Sequence, residues 1–214
     1  MRDFFRTLPR NVLACFEGVN LLWHTAAIAI TVAVVYSGLD WAYFVGTRGL
    51  AWSPFVVPAL VAGSFLPIAI PIALFGLARI RKDTRLAFAG WAIGQAAAIG
   101  WIVSSLYKAF TGRIQPPLGA LVDTSHGFNL GFWQNGIFWG WPSSHTTVAF
   151  AMAFAILCLY PKSKILRCVA LAYACYVGFS VSVDIHWLSE ALAGAIFGAV
   201  VGTVVGKSKA ALTR

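Results

Sequence analysis

The chain has 214 residues, of which 59% are hydrophobic and 11% charged, with a mean hydropathy of +0.78. Soluble domains carry about 25% charged residues, so the composition excludes a water-soluble domain and predicts one membrane-embedded domain over 1–214. A net charge of +9 would suggest a nucleic-acid partner in a soluble protein; here it reads as topology signal and attraction to anionic headgroups, with the lipid bilayer as partner and no nucleic acid.

A helix crosses a bilayer with roughly 20 apolar residues. Six such stretches follow one another and predict an all-α bundle of six transmembrane helices. The first covers 20–39, is long enough to span, and has no small-residue cleavage site, so it is expected to stay as a span. The second covers 50–78 and contains Pro54, Pro58, Pro67 and Pro71, each of which removes a backbone donor and predicts a kink. The third covers 86–107, the fourth 144–160, the fifth 165–183 and the sixth 187–206.

Of the 16 Lys and Arg residues, all but Arg48, Lys108 and Arg113 fall in four clusters. These are Arg2, Arg6 and Arg10; Arg79, Arg81, Lys82 and Arg85; Lys162, Lys164 and Arg167; and Lys207, Lys209 and Arg214. With six spans all four lie on one side, and short Lys/Arg-rich segments stay in the cytoplasm. The chain is therefore expected in the cell (inner) membrane with both termini cytoplasmic. His126, His145, His186 and Glu190 fall on the extracytoplasmic side.

The sixth span carries Gly194, Gly198, Gly202 and Gly206 at four-residue spacing. This smooth stripe lets another backbone come close. It offers either a homodimer seam or a packing face for the fourth or fifth span. The long segment 108–142 is rich in Gly, Pro and aromatics, including Phe128, Phe132, Trp133, Phe138, Trp139 and Trp141. A loop of that length is functional or disordered, and the aromatics argue against disorder.

Three polar clusters sit at outer span ends. The first holds Lys108, Arg113, Gln115 and Pro116; Lys and Arg both suit phosphate oxygens, and a snorkelling lysine is the plain alternative. The second is Trp141-Pro142-Ser143-Ser144-His145, a helix start. Its unpaired first-turn N–H groups and its dipole favour an anion beside the serine hydroxyls and His145; the plain alternative is a serine N-cap. The third is His186-x-x-x-Glu190, a spacing that puts both side chains on one face of a helix. A carboxylate on one ring nitrogen fixes the tautomer and leaves the other nitrogen as nucleophile or base. Ionisable residues inside spans are costly, which favours function for Glu190. Together these groups are a parts list for phosphoryl transfer through phosphohistidine. Two other readings use the same residues: a zinc-dependent hydrolase with His145, His186 and Glu190 as ligands, and a non-catalytic lipid-phosphate binder or transporter.

At these residues the chain resembles the type 2 phosphatidic acid phosphatase family, related to vanadium haloperoxidases, whose motifs are K-x6-R-P, P-S-G-H and S-R-x5-H-x3-D. The similarity covers 86–206. Lys108 and Pro116 match the first motif, with Gln115 at its arginine. Pro142, Ser143 and His145 match the second, with Ser144 at its glycine. His186 and Glu190 match the third, while Phe179 and Ser180 stand at its serine and arginine. The resemblance implies six spans, an outward-facing site, a lipid phosphate or pyrophosphate substrate, and neither metal nor cofactor. It implies His186 as nucleophile, Glu190 as its orienting carboxylate and His145 as general acid. Lys108, Ser143, Ser144 and Gln115 would lie at the phosphate, and Arg113, two residues from the missing arginine, is expected to aim there as well. A phosphotransferase of the same family would use the same residues.

The charge pattern carries a prediction of its own. A cysteine introduced at Gly119 should react with an impermeant thiol reagent added from outside the cytoplasmic membrane; reaction from the cytoplasmic side alone would overturn the topology.

Overall fold

The computed structural model describes residues 2–117 and 122–210; Gly119 lies outside the described residues. Among the described residues eight α-helices follow in order: α1 (Arg2–Ala14), α2 (Val19–Tyr36), α3 (Leu39–Thr47), α4 (Val56–Arg81), α5 (Thr84–Thr111), α6 (Ser144–Leu159), α7 (Lys164–Asp184) and α8 (Leu188–Ala210). A 3-10 turn, Arg48–Leu50, joins α3 to α4. Among the described residues the extended pairing is confined to an isolated bridge, Arg113 with Phe128.

The all-α expectation holds, but the count of six needs correction. Among the described residues five helices, α2, α4, α5, α7 and α8, are long and apolar enough to cross a membrane. The predicted fourth span, α6, has 16 residues, about 24 Å at 1.5 Å per residue. Two helices were not predicted. α1 is amphipathic and docks on α5, where Asn11 donates to Gln95 Oε1 at 2.9 Å and Gln95 donates to Thr7 Oγ1 at 3.0 Å. α3 separates from α2 because Gly38 takes a left-handed φ of 74°, a conformation open to glycine. The second span begins at Val56, so only Pro67 and Pro71 are interior to it. Pro71 is buried, and Gly94 on α5 leaves room for it, since a Cβ there would sit 3.3 Å from Pro71 Cβ.

Local signals set the helix starts. Asp83 accepts from the N–H groups of Arg85 and Leu86, Ser143 from Thr146 and Ser163 from Leu166, each satisfying an orphan first-turn donor. The helices alternate in direction. The C-terminal ends of α5 and α7 and the N-terminal ends of α6 and α8 therefore share one end of the bundle, away from the Arg79–Arg85 and Lys162–Arg167 turns.

The centre is built on α8 and α5, the most enclosed of the long helices, whereas α4 is the most exposed. Phe197, Val201 and Val205 of α8 meet Ala96, Ile99 and Val103 of α5 and Ala151 and Ala155 of α6. Trp141 joins this cluster and donates its indole N–H to Thr31 Oγ1 at 2.8 Å.

The glycine stripe of α8 is covered by α6 within the chain. A Cβ at Gly194 would stand 2.8 Å from the Ser143 carbonyl. One at Gly198 would run into the Thr147 carbonyl and lie 2.6 Å from Phe150 Cβ; one at Gly202 would meet the Ala151 carbonyl. At Gly206 it would be 2.5 Å from Cys158 Cβ. Of the two uses offered for Gly194, Gly198, Gly202 and Gly206, the packing face for the fourth span is the one filled: α6 supplies a backbone partner from within the chain.

Gly198→Leu should therefore destabilise the detergent-solubilised protein by about 1–3 kcal/mol, because the intruding side chain meets main chain that cannot yield. Gly46→Ala, at a helical position with nothing within 4 Å of the added Cβ, should stay within about 0.5 kcal/mol. Thermal unfolding followed by circular dichroism checks both.

Candidate active site

Glu190 occupies the first turn of α8 and is fully buried. Its carbonyl accepts from Ser143 N–H at 3.1 Å, which binds the starts of α6 and α8 together. His186 lies in the Ile185–Trp187 junction between α7 and α8, not on one helix with Glu190 as the four-residue spacing suggested. The junction nevertheless brings the two together: His186 Nδ1 hydrogen-bonds Glu190 Oε2. With that proton held on Nδ1, Nε2 carries the lone pair. Burial lowers the His186 pKa from its ordinary 6.5; Glu190 pulls the other way, while Lys108 and Arg113 add to the lowering. The imidazole is thus neutral at neutral pH.

His145, on the first turn of α6, faces this pair with ring centroids 6.3 Å apart. Its Nε2 is 3.2 Å from Ser64 Oγ on α4. Ser64 already donates to the Leu60 carbonyl at 3.0 Å, so it accepts from His145 Nε2–H, and the assignment follows from this network. His145 Nδ1 is left as a buried nitrogen with no partner among the described residues.

Lys108, in the last turn of α5, is almost fully buried and donates to the Phe138 carbonyl at 3.0 Å. It is close enough to His186 to act on its charge. The serines are engaged locally. Ser143 Oγ accepts from Thr146 N–H and Thr146 Oγ1 as an N-cap. Ser144 Oγ pairs with Ser104 Oγ at 2.9 Å, and Ser104 in turn donates to the Trp101 carbonyl. What α6 offers an anion is its positive end and first-turn N–H groups.

Two expectations are corrected. Arg113 does not aim at a phosphate. Residues 127–131 double back along the end of α5, with Ile114 N–H bonded to Gly127 O and Asn129 N–H to Gly112 O, and Arg113 is enclosed with no exposure. Its guanidinium bonds Asp40 at 2.6 Å, the Ser125 carbonyl at 2.9 Å and Ser189 Oγ at 2.8 Å. It sits behind Glu190, Nε 3.5 Å from Oε1. Gln115 is engaged as a tether. Oriented to satisfy both ends, its amide donates to the Ile185 carbonyl and accepts from Gly140 N–H at 2.8 Å. It holds the junction that carries His186.

Sequence reasoning missed Asp40, Ser64, Ser104 and Ser189. Asp40 had a signal, being an isolated carboxylate in an apolar run; the serines had none. As for the zinc reading, His186 and Glu190 point at each other, and among the described residues no group of three His, Cys, Asp or Glu side chains is arranged to hold a metal ion.

Beside His145 a cavity of about 580 Å³ opens between α4, α5 and α6. Ser64, Ser144 and His145 form its polar end; Pro67, Ile68, Trp101 and Val148 make its apolar wall. The site can thus offer a nucleophilic imidazole nitrogen, a facing imidazole, one cation and a helix N-terminus, with His145 and the start of α6 bordering an apolar slot.

Nothing among curated proteins matches this chain. Among solved structures it is similar to a transmembrane PAP2-type phosphatidylglycerolphosphate phosphatase from Bacillus subtilis, with 18% identity, coverage of 99% of this chain and 96% of that one, and a TM-score of 0.45. The sequence profile of the PAP2 superfamily matches residues 88–214. That match takes in Lys108, Ser143, His145, His186 and Glu190 and more than half of the chain, and the protein belongs to the PAP2 superfamily of phosphatases.

Proposed function

We propose that the protein is a membrane lipid phosphatase that cleaves a phosphomonoester or pyrophosphate through a phosphohistidine on His186, without a metal and on the extracytoplasmic side. The observation that carries this reading is the His186–Glu190 pair set across from His145, which itself lines an apolar cavity. His186 Nε2 attacks phosphorus and the bond from phosphorus to the lipid oxygen breaks. His145, protonated on Nδ1, gives that proton to the leaving oxygen. The neutral His145 then takes a proton from water as the water oxygen attacks the phosphohistidine, which releases phosphate and restores both rings. Lys108 and the start of α6 offset the charge on the phosphoryl oxygens. The engagement of Arg113 and Gln115 elsewhere favours, as a second reading, a protein that binds a lipid phosphate and turns it over slowly.

Phosphate release by the purified protein across prenyl pyrophosphates, glycerophospholipid phosphates and lipid A phosphates, with and without chelator, separates these readings. Turnover that survives chelator and is inhibited by orthovanadate, a trigonal-bipyramidal mimic of the transferring group, is expected. Binding with only slow turnover on every lipid would favour the second reading.

His186→Ala should abolish release, and Glu190→Gln should lower kcat about 100-fold while leaving measurable turnover. Near-normal release by His186→Ala would exclude the covalent route. The attacking ring must be neutral, and burial lowers its pKa, so kcat/KM should fall on acidification only below pH 6.5.

A further inference from the structure

We infer that Asp40 and Arg113 form a positioning pair that holds Glu190 from behind, so that the arginine expected at the phosphate acts instead on the nucleophile's partner. The inference rests on the phosphohistidine reading of His186.

Asp40 lies on α3 and is fully buried. Its Oδ1 accepts Ser189 N–H at 2.8 Å, and its Oδ2 accepts both Ser189 Oγ–H at 2.6 Å and Arg113 Nη2–H. A carboxylate thereby receives an open N–H in the first turn of α8, one residue before Glu190. Arg113 Nη1 closes the ring onto Ser189 Oγ at 2.8 Å. The guanidinium also lies 4.7 Å from the Phe128 ring centroid and 5.8 Å from that of Trp187, the residue next to His186.

A clamp between α3 and the loop would need no more than this. Two further atoms point past a clamp. Arg113 Nε and Glu190 Oε1 are both buried, neither has another hydrogen-bond partner among the described residues, and they face each other at 3.5 Å. Glu190 therefore has one oxygen turned to His186 and the other to Arg113. The carboxylate cannot rotate away from the imidazole without moving its free oxygen off a buried cation. Arg113 in turn cannot collapse fully onto Glu190 while Asp40 and the Ser125 carbonyl hold its other nitrogen.

The charges facing His186 come from every neighbouring element: Glu190 on α8, Lys108 on α5, His145 on α6 and Arg113 on the loop after α5. Arg113 offsets part of the attraction that Glu190 exerts on a proton at His186, and Asp40 balances Arg113. The two single substitutions should therefore shift the His186 titration in opposite directions. Arg113→Gln removes a cation and should move the acid limb of kcat/KM up by about 1 pH unit. Asp40→Asn keeps an acceptor for Ser189 N–H but leaves Arg113 unbalanced, and should move the limb down. The double variant Asp40→Asn/Arg113→Gln removes both charges and should bring it back toward the starting value. A contact that served folding alone would not give shifts of opposite sign.

The test measures phosphate release against pH for the full-length protein and these three variants in detergent, with inorganic phosphate as competitive inhibitor. In parallel, the pH dependence of His186 carbethoxylation is followed by mass spectrometry, which needs no turnover. Expected are a fall in kcat of tenfold or more for each single variant, an inhibition constant for phosphate within twofold of the unaltered protein, and opposite shifts in both pH profiles. A weakened phosphate inhibition constant in Arg113→Gln would make Arg113 a phosphate ligand and overturn the inference. Coincident pH profiles in the folded variants would reduce the pair to a clamp. If Arg113→Gln does not fold, Asp40→Asn and the double variant carry the same comparison. If the unaltered protein releases no phosphate from any lipid, the proposed function fails, while the carbethoxylation profiles still decide the role of Asp40 and Arg113.

Discussion

The close approach of α6 and α8 is the constraint from which the site follows. Four glycines remove side chains from the α8 face, and the α6 carbonyls of Ser143, Thr147, Ala151 and Ala155 come down onto it. At the upper end of that seam Ser143 N–H bonds the Glu190 carbonyl. The helix start that would meet an anion and the carboxylate that orients His186 are therefore joined through main chain, with no flexible side chain between them. In a membrane, where apolar burial between helices gives little driving force, such backbone proximity supplies the packing. His145, in the first turn of α6, and His186, just before α8, inherit their separation from it.

The polar groups around this seam form a connected set. Asp40 ties α3 to the start of α8, Arg113 ties the loop after α5 to both, and Gln115 ties the same loop to the junction before His186. Trp187 closes the set by donating its indole N–H to the Ile114 carbonyl at 2.7 Å. A buried charge without a partner is expensive in this setting, and each one here is paired or hydrogen-bonded. Residues 1–87, which lie outside the family match, thus contribute hydrogen-bonding side chains to the site, among them Asp40 and Ser64.

Much of this was legible in the sequence, for a physical reason. In an apolar chain each ionisable residue is costly to place, so Lys108, His186 and Glu190 stood out, and apolar length marked the long helices. Where the reading failed, direction was at issue and not position. Arg113 was correctly seen as a cation near the end of α5, but spacing along a loop does not say that 127–131 fold back and turn its guanidinium inward. Gln115 failed for the same reason. α3 was left in the connection between the first span, 20–39, and the second, 50–78, because nine residues are too few to register as a span, and with it went the meaning of Asp40. The stripe of α8 was read as a close-approach face, which it is; whether the partner came from this chain or a second one depended on which helix arrived there.

The cavity beside His145 has a consequence for how the protein meets its substrate. Three of its lining residues, Ile68, Trp101 and Phe138, are also strongly exposed on the outer surface of the bundle. At membrane depth that surface faces hydrocarbon. Under the proposed function, a chain-bearing substrate entering from the leaflet would keep its tail in oil and bring only its headgroup to His145. Encounter is then a two-dimensional event. Its rate follows the mole fraction of substrate in the bilayer and the lateral diffusion of lipids, and diluting the substrate with inert lipid or detergent slows the reaction even when its bulk concentration is unchanged.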